Sequence, residues 1–199
     1  MPEGQLGTYL IIDLEMTGLN PFQNGVIEVG AIVMNDTFDN IGEFFMDLCP
    51  PDNIVIDPKS LEYNGFTLDR IALGKSYEEF CEYWDGFMET YFPEGRKPIM
   101  VGQFIAADIA FLGSVFYNAR RPNLYEKLGN DIIDTKSIAN QANAIARYNK
   151  INLPFRSTSL SKPGGIAEML HITDFQAHTA KGDIMATREA LMKFLKFKR

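Results

Sequence analysis

Tyr9-Leu10-Ile11-Ile12-Asp13-Leu14 is a near-continuous apolar run, and Glu15 follows it directly. An apolar run of this length reads as a buried strand. Side chains two apart on a strand share a face, so Asp13 and Glu15 project together from its end. Charged groups are rarely buried unless paired or bound to metal. The first Lys or Arg of the chain is Lys59, so no local cation answers this pair. Taken alone, the pair suits a metal site or ordinary strand-end carboxylates facing solvent.

Working outward, Thr17 to Gly25 is rich in turn residues and reads as a loop. Val26 to Met34 is a second strand, and Phe38 to Leu48 a third after a turn at Asn35-Asp36. Together with the first strand they predict an antiparallel meander. Cys49 to Pro58 is a loop, and Ser60 to Leu73 holds one or two short helices. Ser76 to Tyr91 is a helix with Ser76 as N-cap and Glu79 completing a capping box. Ile99 to Val101 and Asp131 to Asp134 are short strands, each followed by a helix, Ala106 to Ala119 and Thr135 to Tyr148. Ser157 to Gly165 reads as a poor start to a short helix rather than as a flap. Ala180 to Phe197 is the last helix. This order predicts an α/β fold: a mixed five-stranded sheet, three meander strands plus two parallel ones, with helices on its faces. No composition break marks a second unit, so residues 1–199 are expected to form one domain.

The 199 residues carry 19 basic and 26 acidic side chains, a net charge of −7, and 46% are hydrophobic. These values exclude a disordered or fibrous chain. No apolar run approaches the ~20 residues of a membrane span, and residues 1–7 do not read as a secretion signal. Two cysteines, Cys49 and Cys81, make no disulfide framework, which fits a reducing, cytoplasmic compartment. The acidic balance disfavours coating long duplex nucleic acid by charge, but permits a local grip on a strand end.

Two further acids stand in apolar settings. Asp108 falls in the first turn of the helix after Ile99–Val101, where an acid also favours the helix dipole. Asp183 falls in the first turn of the last helix, with His178 in the loop before it. Hard carboxylate oxygens suit Mg²⁺ or Mn²⁺ rather than zinc. Four acids balance two divalent ions, and such a pair, roughly 3.5–4 Å apart, serves in-line phosphoryl displacement. A histidine beside it would take the proton of the attacking water.

These residues resemble the DEDD exonuclease superfamily in its histidine subgroup, which includes oligoribonuclease, RNase T and polymerase proofreading exonucleases. The resemblance rests on Asp13-Leu14-Glu15-Met16-Thr17-Gly18-Leu19, on Gly102 to Leu112 with Asp108 followed by Phe111-Leu112, and on His178 spaced five from Asp183. It spans Leu10 to about Leu195. It implies an RNase H-like fold. It also implies that Asp13, Glu15, Asp108 and Asp183 hold two Mg²⁺ or Mn²⁺ ions and that His178 is the general base. Met16, Thr17 and Gly18 would meet the 3′-terminal nucleotide, as would Gln103 and Phe104, although the family usually has asparagine where Gln103 stands. The implied activity is 3′→5′ hydrolysis of single-stranded RNA or DNA, with the first motif leaning to RNA, and a homodimer is implied by resemblance alone. Two rivals share the fold: a module that binds a nucleic-acid end or a protein without cleaving, and a proofreading subunit that needs a partner.

Beyond the motifs, Asp134 is expected to cap the helix from Thr135, and His171 to be structural. Phe22, Phe104 and Phe155 are candidates for base stacking. Tyr83, Trp84 and Phe87 are expected on the packed face of their helix.

Overall fold

A computed structural model describes residues 6–173, 175 and 179–196. His178 therefore lies outside the described residues. Strands β1 (Tyr9–Met16), β2 (Val26–Met34) and β3 (Asn40–Cys49) form the expected antiparallel meander. Strand β5 (Ile99–Gly102) pairs parallel with β1, and β6 (Ile132–Asp134) parallel with β5.

The sheet has six strands rather than the expected five; with β4 (Lys75–Ser76) the order is β4-β3-β2-β1-β5-β6. The added strand pairs parallel with Leu48 and Cys49 at the end of β3. Two polar residues carry no hydrophobic period, so sequence pattern cannot reveal such a strand. Gly74 permits it: a Cβ there would lie 2.5 Å from the carbonyl carbon of Leu48. A side chain at this position would hold the chain away from β3.

Alternation along β1 sorts its side chains between two cores. Leu10, Ile12 and Leu14 pack with Phe80, Trp84, Leu112 and Phe116, from helices α3 (Tyr77–Tyr91) and α4 (Ala106–Asn118). Ile11 turns to the opposite face, against Ile184 and Leu191 of helix α7 (Ala180–Leu195). Asp13 and Glu15 continue the row of Ile11 toward α7. Helices α5 (Thr135–Tyr148) and α6 (Ile166–Met169) extend that second layer, packing Ala139 and Ile166 with Ala186 and Ala190. Helices thus cover both faces, as expected. β1, β5 and β6 all run the same way; Gly102 and Asp134 end side by side, one step past the pairing of Ile11 with Val101, and β1 carries Asp13 and Glu15 just beyond them. Open α/β sheets place their sites at such strand ends.

Smaller expectations divide. Ser76 caps α3 with the full capping box, and Asp134 caps α5. Trp84 is fully buried and Phe87 packs against the core, but Tyr83 is exposed and leaves that face. Phe155 is buried in the layer of α5 and α7, whereas Phe22 and Phe104 are exposed. No helix among the described residues is long and apolar enough to cross a membrane.

Candidate active site

Asp13 and Glu15 reach one face of β1 at its end, and α7 lays its first turn over that face. Each of Asp13, Glu15 and Asp183 offers a carboxylate oxygen, and these lie within 4.8 Å of one another. Asp108 reaches the same place from α4, on the other side of the sheet. It is buried, and one of its oxygens accepts from the Leu14 amide at 3.1 Å. It stands outside the group of three but acts on it electrostatically. Four acids from three elements thus converge on the end of one strand.

Burial and mutual repulsion make Asp13, Glu15 and Asp108 hard to ionise. Burial pushes Asp13 well above the usual carboxylate range, and Asp108, Asp183, Glu15 and Glu28 push it further. Glu15 rises to about 8 through burial, Asp183 and Glu28, while Asn64 and Arg70 pull it down. Burial also raises Asp108, against the pull of hydrogen bonds from its own amide and that of Leu14. Among the described residues no Lys or Arg forms an ion pair with Asp13, Glu15 or Asp108. Clustered hard oxygens that repel one another fit a divalent cation, which would neutralise them.

A cavity of about 490 Å³ opens over the acids. Asp13, Glu15 and Asp183 form one wall, and Ser157 to Lys162 form another. The stretch expected to be a weak helix start is therefore a wall of hydroxyls and one lysine. Gln103 and Phe104 line the cavity as well, with Lys136. Gln103 spends its amide inside the protein: Nε2 donates to the Thr158 carbonyl at 2.9 Å, and Oε1 accepts from the Thr135 hydroxyl at 2.6 Å. Phe104 has φ 63° and donates its amide to Asp134 at 2.8 Å, while the Lys136 ammonium sits 4.2 Å from its ring centre.

A second cavity, about 600 Å³, adjoins the first and shares Glu15, Tyr63 and Lys162 with it. Met16 and Gly18 line it. Thr17 does not. It is fully buried, its hydroxyl donating to the Val55 carbonyl and accepting from the Gly25 amide. Gly18 is also required by packing, since a Cβ would lie 2.3 Å from the Asn24 side chain.

Sequence reasoning missed Tyr63 and Asn64, at the end of helix α1 (Pro58–Asn64). Gly65, at φ 71°, ends that helix and leaves both residues over the end of β1. Asn64 donates to the Met16 carbonyl at 3.2 Å and also hydrogen-bonds Glu15. It missed Glu28 and Arg70 as well, which are paired at 3.1 Å. Nothing in residue spacing signals such long-range partners.

The family model of the exonucleases (RNase_T) matches residues 10–191. The chain belongs to the exonuclease family. The DEDD resemblance of its motifs is borne out. A PolC-type DNA polymerase III of Thermotoga petrophila is 27% identical over 192 residues, 94% of this chain and 12% of that protein. An oligoribonuclease of Shewanella sp. (strain W3-18-1) is 30% identical over 107 residues, 51% of this chain and 59% of that enzyme. The exonuclease chain thus spans about an eighth of its PolC-type relative. The crystal structure of E. coli Exonuclease I with a dA16 oligonucleotide superposes at a TM-score of 0.71 and 20% identity, over 96% of this chain and 41% of that one. At that identity the likeness shows the RNase H-like exonuclease fold. Family and acidic cluster together indicate divalent metal use.

Proposed function

We propose that residues 1–199 form one exonuclease domain that removes nucleoside 5′-monophosphates from single-stranded 3′ ends, using two Mg²⁺ or Mn²⁺ ions. The convergence of Asp13, Glu15 and Asp183 within 4.8 Å carries this reading. Bound ions would polarise the scissile phosphate, lower the pKa of the attacking water and offset charge on the leaving oxygen.

The chain's own residues would do the rest. Asp13, Glu15, Asp108 and Asp183 hold the ions and are themselves held: Asp108 by the Leu14 amide, Glu15 by Asn64, Asp183 by its turn of α7. The 3′-terminal nucleoside occupies the adjoining cavity against Met16, Gly18 and Tyr63, with the scissile phosphate beside Glu15 where the cavities meet. Gln103 and Phe104 shape the path of the preceding nucleotides. Phe104 presents an exposed ring beside Lys136, a pairing suited to a base and its phosphate. His178 accepts the proton of the attacking water. The water oxygen bonds to phosphorus, and the P–O3′ bond breaks. The 3′-oxygen leaves and takes a proton, giving a 5′-monophosphate and a strand one nucleotide shorter.

A net charge of −7 favours a short grip over a long one. The oligoribonuclease likeness favours RNA and a homodimer. The dA16 complex of the structural relative keeps DNA as a substrate to be tested. Free Cys49 and Cys81 suit a cytoplasmic setting. The PolC-type match favours a second reading, a proofreading unit within or beside a polymerase. Matched 5′-labelled RNA and DNA oligonucleotides, incubated with Mg²⁺, Mn²⁺ or chelator, test both. A metal-dependent ladder descending one nucleotide at a time is expected. A folded chain that makes no ladder alone, but does so with a polymerase partner, would favour the second reading.

A further inference from the structure

Glu28 is the only residue of β2 that is not buried, and it stands beside the acid cluster without joining it. Strand register sets it opposite Glu15. Both of its oxygens are engaged away from the cavity. Oε1 accepts from the Arg70 guanidinium at 3.1 Å, and Oε2 accepts from the Ala180 amide at 3.0 Å. Arg70 in turn grips both oxygens of Asp47 on β3 at 2.7 Å and stacks 3.7 Å from the centre of the Phe66 ring. The bridge is continuous, from β3 through Arg70 and Glu28 to the first residue of α7.

That first residue matters because Asp183 lies three positions on, in the same turn. The opening amides of a helix have no intrahelical acceptor. Thr179 supplies one for Gly182, and Glu28 supplies one for Ala180. A carboxylate at a helix N-terminus also meets the positive end of the dipole. Gly30, two residues after Glu28 and opposite Asp13, completes the seat. A Cβ there would lie 3.1 Å from the Ala180 side chain and 3.2 Å from its carbonyl. So α7 rests directly on β2 at the level of Asp13. The electrostatic cost of this arrangement is visible. Glu28 adds a fifth negative charge that makes Asp13 and Glu15 harder to ionise. An apolar residue would suit a strand whose other eight positions are buried. An anchor for α7 accounts for an acid there, and Arg70 offsets its charge.

We propose that Glu28, held by Arg70, is a positioning residue that anchors the first amide of α7 and so sets Asp183 at ligating distance from Asp13 and Glu15. The inference rests on the metal-dependent exonuclease reading. It assigns Glu28 no contact with metal or substrate.

The test uses the full chain and titrates Mn²⁺ while following thermal unfolding, alongside steady-state kinetics on one oligonucleotide. Glu28→Ala is expected to raise the Mn²⁺ concentration for half-maximal stabilisation about tenfold and to lower kcat comparably. KM is expected to hold within about twofold. Glu28→Gln keeps an acceptor for the Ala180 amide and is expected to recover most of the loss. Gly30→Ala lifts the same turn from the other side and is expected to weaken Mn²⁺ binding in the same direction. If Glu28→Ala fails to fold, Glu28→Gln and Gly30→Ala decide. Wild-type Mn²⁺ affinity in Glu28→Ala or Gly30→Ala overturns the inference, and so does a Glu28→Gln as impaired as the alanine variant. A wild-type chain that Mn²⁺ does not stabilise at all overturns the metal reading instead.

Discussion

At the scale of single residues, Asp13 and Asp183 combine two opposed properties. Each contributes a ligand oxygen, and each contributes repulsion that burial cannot dissipate. Asp13→Asn or Asp183→Asn keeps the shape and removes one charge. Either should lower turnover at least about a hundredfold, because the ions' contribution is worth several kcal/mol. The same variants should raise the melting temperature in chelator. A variant that kept full turnover would remove that residue from the site. Gln103 calls for a different experiment, because its amide is spent on Thr158 and Thr135. Gln103→Ala should free the wall of residues 157–162, raise KM several-fold and leave kcat nearly unchanged. A fall in kcat at constant KM would instead put Gln103 at the reacting atoms. Asp13 and Glu15 were legible because charge at the end of an apolar strand is anomalous, whereas Asp108 and Asp183, in the first turns of helices, were legible only through their place in the motifs. Tyr63 was not, because only the fold of α1 and Gly65 brings it over β1. Thr17 was legible as part of a motif, but its hydroxyl serves the loop rather than the cavity.

At the scale of elements, local signals worked wherever local chemistry decides. The Ser76–Glu79 box satisfies two backbone donors at the start of α3, and helix α5 begins at Thr135 because Asp134 caps it. Ser76→Ala should cost about 1 kcal/mol of stability. It should leave activity intact, since α3 packs on the face of the sheet away from Asp13 and Glu15. A melting temperature unchanged by this substitution would show that the cap is redundant with the packing of Phe80 and Trp84. Elements set by distant contacts were less legible. Strand β4 exists because Gly74 brings two polar residues against β3. The Ser157–Lys162 wall looks locally like a failed helix. It gains its place from the Gln103 amide and from Leu160, which packs beside Phe155 and Ile166. Pattern reading missed β4 altogether; it found where the Ser157–Lys162 segment lies and missed what it faces.

At the scale of the whole molecule, the acid cluster makes stability depend on pH and metal together. Glu15 moves from 4.5 to about 8 on folding, and Asp13 and Asp108 also move upward. Acids with raised folded pKa values bind more protons in the native state than in the unfolded one. Stability must then fall as pH rises, with a slope of up to ~1.4 kcal/mol per pH unit for each such group. Given the direction of all three shifts and the value for Glu15, the fall spans the range from about pH 4.5 to about pH 8. A divalent cation replaces the protons, so its binding releases them and strengthens as pH rises. The melting temperature in chelator should therefore decline between about pH 5 and about pH 8, while with millimolar Mg²⁺ or Mn²⁺ it should hold nearly level. The gap between the two curves is the stabilisation by bound metal. It should be smallest in acid, widest near pH 8, and reduced in Asp13→Asn. A metal-free curve that rises across this window would mean that the carboxylates ionise freely in the folded chain. The case for a site built to receive cations would then fail at its electrostatic root.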